Sequence, residues 1–249
     1  MNVSLYQAAA ALNANTRWQD VISENLSSAS IPGFKKQDMT FSAVQAGLMP
    51  QASAGQPLNY VLPSASSATS FTPGELKFTG GPTDVAIDGS GFFQVQLPNG
   101  GMGFTRDGEF NVNAQGQLVT KQGYPVMGNA GPIQLDRNNA NPISISSTGE
   151  ISQGSEPRGK LKVVDFSDPK RLTPISGGCF IATDPGLQPI DVPGGASVRQ
   201  HYLEAANTTA VSEMASLIGV MRASETNQRV IQINDDRMGR AITELGSPN

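Results

Sequence analysis

At 249 residues, 38% apolar and 15% charged, the chain is long enough for one large domain or two small ones, but lean in both core-forming and charged side chains. A formal charge of −4 and the lack of any basic stripe exclude nucleic acid and anionic membrane as main partners. A single cysteine, Cys179, and a single histidine, His201, exclude an internal disulfide and a Cys/His zinc site, and no run approaches the roughly 18 apolar residues of a transmembrane helix.

The first element predicted is a helix over residues 3–29. Leu5, Leu12, Gln19 and Leu26 recur at seven-residue spacing, with Ala8, Ala9, Val21 and Ile22 beside them. Pro32 and Gly33 end it, and residues 1–34 are assigned to the N-terminal helix of a coiled-coil domain. Residues 35–75 carry four prolines and the small-residue run Ser64 to Ser70 without periodicity, which predicts an extended arm or linker.

Residues 76–200 alternate short apolar or β-branched runs with glycine turns. Asp88-Gly89-Ser90-Gly91 and Asp107-Gly108 lie between such runs, and Asp-Gly there is a hairpin signal. A spacing of roughly ten residues between turns predicts an all-β meander, sandwich or small barrel. Residues 201–249 hold a second, longer helix. Ala210, Met214, Leu217, Met221, Ser224, Gln228, Ile231, Asp235, Met238, Ile242 and Leu245 alternate spacings of four and three, a heptad-like seam with a polar middle. The predicted fold is therefore α+β: long N- and C-terminal helices that pair as a coiled coil around a central all-β module. One antiparallel helix pair leaves much of such a seam wet, so partner helices from other subunits are expected.

Four blocks, in order along the chain, carry a resemblance. Asn25-Leu26 followed by Gly33-Phe34-Lys35 resembles the N-terminal signature of flagellar rod and hook proteins, with Ser27, Ser28 and Ile31 departing from the usual Ala, Asn and Thr. Residues Thr79 to Phe93 resemble that family's first β segment, and Phe104 to Gly108 with Gly116 to Thr120 resemble its next two turns. Leu203-Glu204-Ala205-Ala206-Asn207, followed by Glu213-Met214, resembles the entry to its last helix. The resemblance implies a structural axial subunit of the bacterial flagellar basal body, with copies of itself and other rod subunits as partners. It also implies export through the flagellar type III apparatus, and so a location in the envelope-spanning rod; this displaces the cytoplasmic reading that the absence of a Sec-like N-terminus would otherwise suggest. Tyr124 to Gly128 and Gly159 to Val164 look more like a proximal rod subunit, whereas Phe92 to Pro98 look equally like the distal one, and the proximal position is favoured.

The expected assembly residues are Leu5, Leu12, Asn25, Leu26, Gly33, Phe34, Asn207, Met214, Leu217, Met221, Gln228, Ile231, Met238 and Ile242. No catalytic, cofactor-binding or metal-binding residue is assigned, and neither a cofactor nor a small-molecule substrate is expected. Asp88 to Gly91 is not a dinucleotide loop, because a strand rather than a helix follows it. Asp84, Asp88, Asp107 and Asp136 read as turn residues, and Asp136 to Asn139 falls short of a calcium loop. A hydrolase using Asp84 or Asp107, and a secreted β-rich adhesin with a helical stalk, are the rival readings. Cys179 reads as a small buried hydrophobe.

Overall fold

The computed structural model describes residues 3–48, 59–192 and 197–245, and the chain is α+β, with a long helix at each end and a β-rich region between them. The fold has two compact units. The first combines α1 (Val3–Ser28), a hairpin of β1 (Gln37–Leu48) and β2 (Asn59–Thr69), and α2 (Ala210–Leu245). The second takes residues 28–36 and 70–208.

In the first unit each helix buries one stripe. On α1 the buried or half-buried positions include Ala8, Ala11, Asn15, Trp18, Ile22 and Asn25, spaced alternately three and four apart. Leu12 and Leu26 are half-buried beside that stripe; Leu5 lies in α1, but its side chain is outside the described residues. Thr209 caps α2, its hydroxyl accepting the Ser212 backbone N–H at 3.3 Å. The inward stripe of α2 runs Glu213, Leu217, Val220, Ser224, Asn227, Ile231, Asn234. Leu217, Ser224 and Ile231 also belong to the seam read from the sequence. The alternate positions lie one residue earlier than expected, and Met214, Met221, Gln228 and Met238 face solvent. The side chain of Ile242 is outside the described residues.

The segment predicted as an extended arm forms a long antiparallel hairpin. Its register runs from Gln37 opposite Thr69 to Leu48 opposite Asn59, with an irregularity between Gln45 and Gly47. The serines and alanines of β2 add little side-chain packing, so ladder hydrogen bonds carry the pairing. Phe41 of β1 meets Trp18 of α1 edge-on, with ring centroids 5.2 Å apart.

The second unit is β-rich, its backbone turning through a short 3-10 helix at Pro169–Arg171. Short strands β3 (Leu76–Phe78), β4 (Val85–Asp88), β5 (Phe92–Gln96) and β6 (Met102–Thr105) open it. β5 and β6 are central in a six-stranded sheet, flanked by residues 163–165 and 190–191 on one side and by 179–181 and 173–175 on the other. Neighbouring Phe92 and Phe93 point to opposite faces of this sheet. Phe92 joins Phe104, Phe166, Phe180, Leu172 and Leu187 in a largely aromatic cluster, while Phe93 joins Val85, Val95, Phe110, Leu118 and Ile151 in a larger, mostly aliphatic one. Apolar residues therefore cover both faces of the sheet, which explains an unbroken apolar run where alternation would mark a half-exposed strand.

The two Asp-Gly signals are corners and not hairpins. β4 pairs with residues 197–200 instead of β5, so Asp88 to Gly91 carries the chain from one sheet into another. At Gly108 any Cβ would collide with the Val85 carbonyl, whose own N–H is bonded to the Gly108 carbonyl at 3.1 Å. Gln115-Gly116 is a true hairpin turn: it joins Asn111–Val112 to Leu118–Val119, with Gly116 at φ 81°.

Candidate assembly junction

Three separate stretches of the second unit, 33–36, 70–74 and 204–207, meet around one buried cluster of charges. Gly33 enters it with φ 66°, and its N–H donates to the Glu204 carbonyl at 2.6 Å. A Cβ at Gly33 would run into the backbone of Arg106, so both the positive φ and the close approach require glycine. Phe34 is buried next to it, and its carbonyl accepts the Asn207 N–H at 3.2 Å.

Lys35 follows, its ammonium 2.5 Å from Glu204 Oε1 and donating to the Thr72 carbonyl at 3.0 Å. Only 1% of either the Lys35 or the Glu204 side chain is exposed, so this pair sits in a low-dielectric interior. Glu204 Oε1 also accepts the Gly74 N–H at 2.8 Å, and Oε2 accepts Arg106 Nη1 at 3.2 Å. Arg106 Nη2 donates to the Gly89 carbonyl at 2.7 Å, and the guanidinium lies over the Phe92 ring, 5.5 Å from its centroid. Two cations thus share one carboxylate. Burial pulls the Lys35 ammonium below its ordinary pKa, while Glu204 acts in the opposite direction. Arg106 is lowered by burial too, opposed by Glu204 and by Asp165.

Asn207 fixes the remaining backbone. Its Oδ1 accepts the Lys36 N–H at 2.7 Å, and its Nδ2 donates to the carbonyls of Ser70 at 2.8 Å and Thr72 at 3.2 Å. One amide side chain therefore links residue 36 to residues 70 and 72. In the first unit Asn25 does comparable work at the start of β1. It is 2% exposed, and its amide both donates to the Gln37 carbonyl and accepts the Gln37 N–H, each at 2.9 Å. The side chain stands in for a neighbouring strand.

The groups weighed for catalysis serve the backbone. Asp107 is buried and accepts the Glu109 N–H at 2.9 Å; burial pushes its carboxyl up to about 6. Asp84 accepts the Thr79 hydroxyl at 2.5 Å, and Asp136 the Asn138 N–H at 2.9 Å. Cys179 is packed in the aliphatic cluster, where burial raises its thiol to about 11. His201 sits at φ 67° between two strand segments, with Nδ1 3.0 Å from the Gly81 carbonyl. Among the described residues, no three His, Cys, Asp or Glu side chains gather to hold a metal ion.

Sequence reading placed Gly33, Phe34 and Asn207 among the assembly residues, and the structure brings these three together. It missed Lys35, Arg106 and Glu204 as a unit, because an isolated Lys or Glu is read as solvated by default. The available signal was their position inside three blocks of the family resemblance, each within a few positions of a glycine or asparagine that the backbone needs.

The ion cluster is buried and held by backbone and side chains of its own unit, and α2 exposes a row of apolar side chains; such features belong to a protein built for structure. The comparisons agree. A flagellar hook protein FlgE/F/G D1 domain model matches residues 86–153, and a flagellar basal body rod FlgEFG protein C-terminal model matches residues 199–244. The flagellar basal-body rod protein FlgF of Caulobacter vibrioides is 31% identical over 251 residues, covering 100% of both chains. FlgF of Escherichia coli is 31% identical over 259 residues, covering 97% of each chain. The rod protein FlgG of Buchnera aphidicola from Schizaphis graminum is 31% identical over 251 residues, covering 94% of this chain and 96% of the relative. The chain belongs to the flagellar basal-body rod and hook protein family, as a structural rod protein of the flagellum. The adhesin alternative finds no support in these relatives.

Proposed function

We propose that the chain is an axial subunit of the basal-body rod that polymerises through its two terminal helices, with copies of itself and with other rod subunits. The observation that carries this reading is the second apolar face of α2. Besides its inward stripe, the helix leaves Val211, Met214, Ile218 and Met221 between 50% and 79% exposed at spacings of three, four and three. A continuous helical stripe of that kind is a surface for another helix.

In this reading residues 1–34 and 201–249 build a coiled-coil domain, residues 35–75 brace adjacent subunits, and the β module of residues 76–200 packs outside. Leu12, Leu26, Leu217 and Ile231 belong to the helix pair, while Met214, Met221, Gln228 and Met238 face neighbouring subunits; Leu5 and Ile242 are assigned to assembly on the sequence pattern alone. Gly33, Phe34, Asn25 and Asn207 act by fixing how the helices leave the rest of the chain. The subunit reaches the envelope-spanning rod through the flagellar type III apparatus, and it catalyses no reaction. Its place is the proximal rod, with a distal or hook-like position as the alternative.

The test is rod assembly in cells producing a chain truncated after Thr208. That cut keeps Glu204 and Asn207, so the junction stays complete while α2 is lost. Stable, exported protein without rods is the expected result; motile cells with normal basal bodies would sink the proposal. A Met214→Asp, Ile218→Asp, Met221→Asp triple variant is expected to fold and be exported, yet to lower rod yield at least tenfold.

A further inference from the structure

β3 and residues 202–204 form a two-stranded ribbon, with Tyr202 opposite Phe78, Leu203 opposite Lys77 and Glu204 opposite Leu76. Side chains along a strand alternate between its two faces. On one face stands Phe78, 70% exposed and the most exposed aromatic among the described residues. The Tyr202 ring supports it at 5.4 Å and the His201 ring at 6.4 Å. Lys77, Thr79 and Leu203 alternate with these residues, and together with Ile31, Pro32 and Ala206 they line an open, mainly apolar groove of about 250 Å³. That space would hold roughly eight waters, more than a phenyl ring displaces. Each molecule therefore carries an aromatic knob and an apolar groove back to back on one ribbon.

We propose that Phe78 docks in this groove on a second copy of the chain. The inference rests on the reading as a polymerising rod subunit and supplies a contact which that reading does not. Three features select a second copy as the occupant. Knob and groove belong to the same chain and occupy opposite faces, so their contact is heterologous, the class of contact from which open filaments are built when the rotation does not close. Phe78 offers roughly 150 Å², far below the roughly 800 Å² per partner of a complex that stands alone, so the ring docks on a molecule already held by other contacts. Lys77 at the groove makes no ion pair among the described residues, and its ammonium is suited to lie over an incoming aromatic face.

Cysteine cross-linking tests the contact, because the native Cys179 is 1% exposed and does not compete. Basal bodies are isolated from cells producing Phe78→Cys chains, Ser30→Cys chains, or both, and then oxidised; Ser30 is an exposed residue of the groove wall. The expected result is a disulfide-linked dimer at least tenfold more abundant in the mixture than with either chain alone. Dimers from Phe78→Cys alone would show a symmetric contact and overturn the proposal. So would capture of that cysteine by a different protein, or assembled rods without any cross-link. This last outcome differs from failure of the helix-driven reading, in which deleting α2 leaves rods intact. Should Phe78→Cys by itself abolish rods, Phe78→Tyr is expected to restore them, and failure to do so overturns the proposal.

Discussion

The junction in the second unit and helix α2 in the first invert the usual arrangement of side chains. At the junction, three charged side chains lie in the interior; along α2, Val211, Met214, Ile218 and Met221 stand in water. The junction sets Glu204 against Lys35 and Arg106 within one molecule, whereas α2 leaves an apolar face in water. A rod subunit gains from both. The first ties separate stretches of one unit together, and the second is the surface proposed above for contacts between molecules.

If this contrast is right, stability should concentrate at the junction, and Glu204→Ala should have the largest effect. It strands Lys35 and Arg106 as uncompensated buried cations, with an expected loss of about 3–5 kcal/mol in urea unfolding. In a double-mutant cycle, adding Lys35→Met should recover part of that loss; strict additivity would mean that the two residues do not act as a pair.

Asp107 tests how much a buried carboxylate costs where desolvation outweighs the distant pull of Lys121. Its carboxyl is raised from 3.8 to about 6, so the unfolded chain ionises first as pH rises. The contribution of Asp107 to stability is therefore full below about pH 4 and is lost by about pH 6, a change of about 3 kcal/mol. Asp107→Asn can still accept the Glu109 N–H and has no such transition. Its stability relative to the parent chain should increase by that amount between pH 3.5 and pH 7, and a flat difference would show that the carboxylate is not desolvated.

Gly33→Ala should cost about 2 kcal/mol or more, from its φ of 66° and from collision with the Arg106 backbone. At the other extreme, Met214→Ala and Met221→Ala should leave monomer stability within about 0.5 kcal/mol of the parent, because both side chains are half or more exposed. A loss above about 1.5 kcal/mol in thermal or urea unfolding would mean that these methionines are packed within the monomer and that the contrast fails.

Sequence periodicity located both terminal helices but placed part of the α2 stripe one residue late. The cause is specific: Glu213, Asn227 and Asn234 turn inward while Met214 and Met221 turn outward, so the rule that apolar side chains face in picks the wrong neighbour. The β1–β2 hairpin was illegible for a different reason. Ser64 to Ser70 carries no alternation of apolar and polar side chains, and ladder pairing leaves no composition signal. Asp88 to Gly91 was recognisable as a turn, but turn chemistry does not reveal whether the chain folds back on its neighbour or crosses to another sheet. At the junction, glycine and asparagine were readable because the backbone demands them, while the burial of Lys35 and Glu204 depended on partners far away in the chain.

That distance has a consequence for timing. Lys35 and Glu204 are separated by 169 positions, so a chain emerging from its N-terminus cannot neutralise Lys35 until more than four-fifths of its length is available. Until then the segment Gly33 to Lys36 has no counter-charge to bury against. Closure is a late, long-range step that favours slow folding over early collapse.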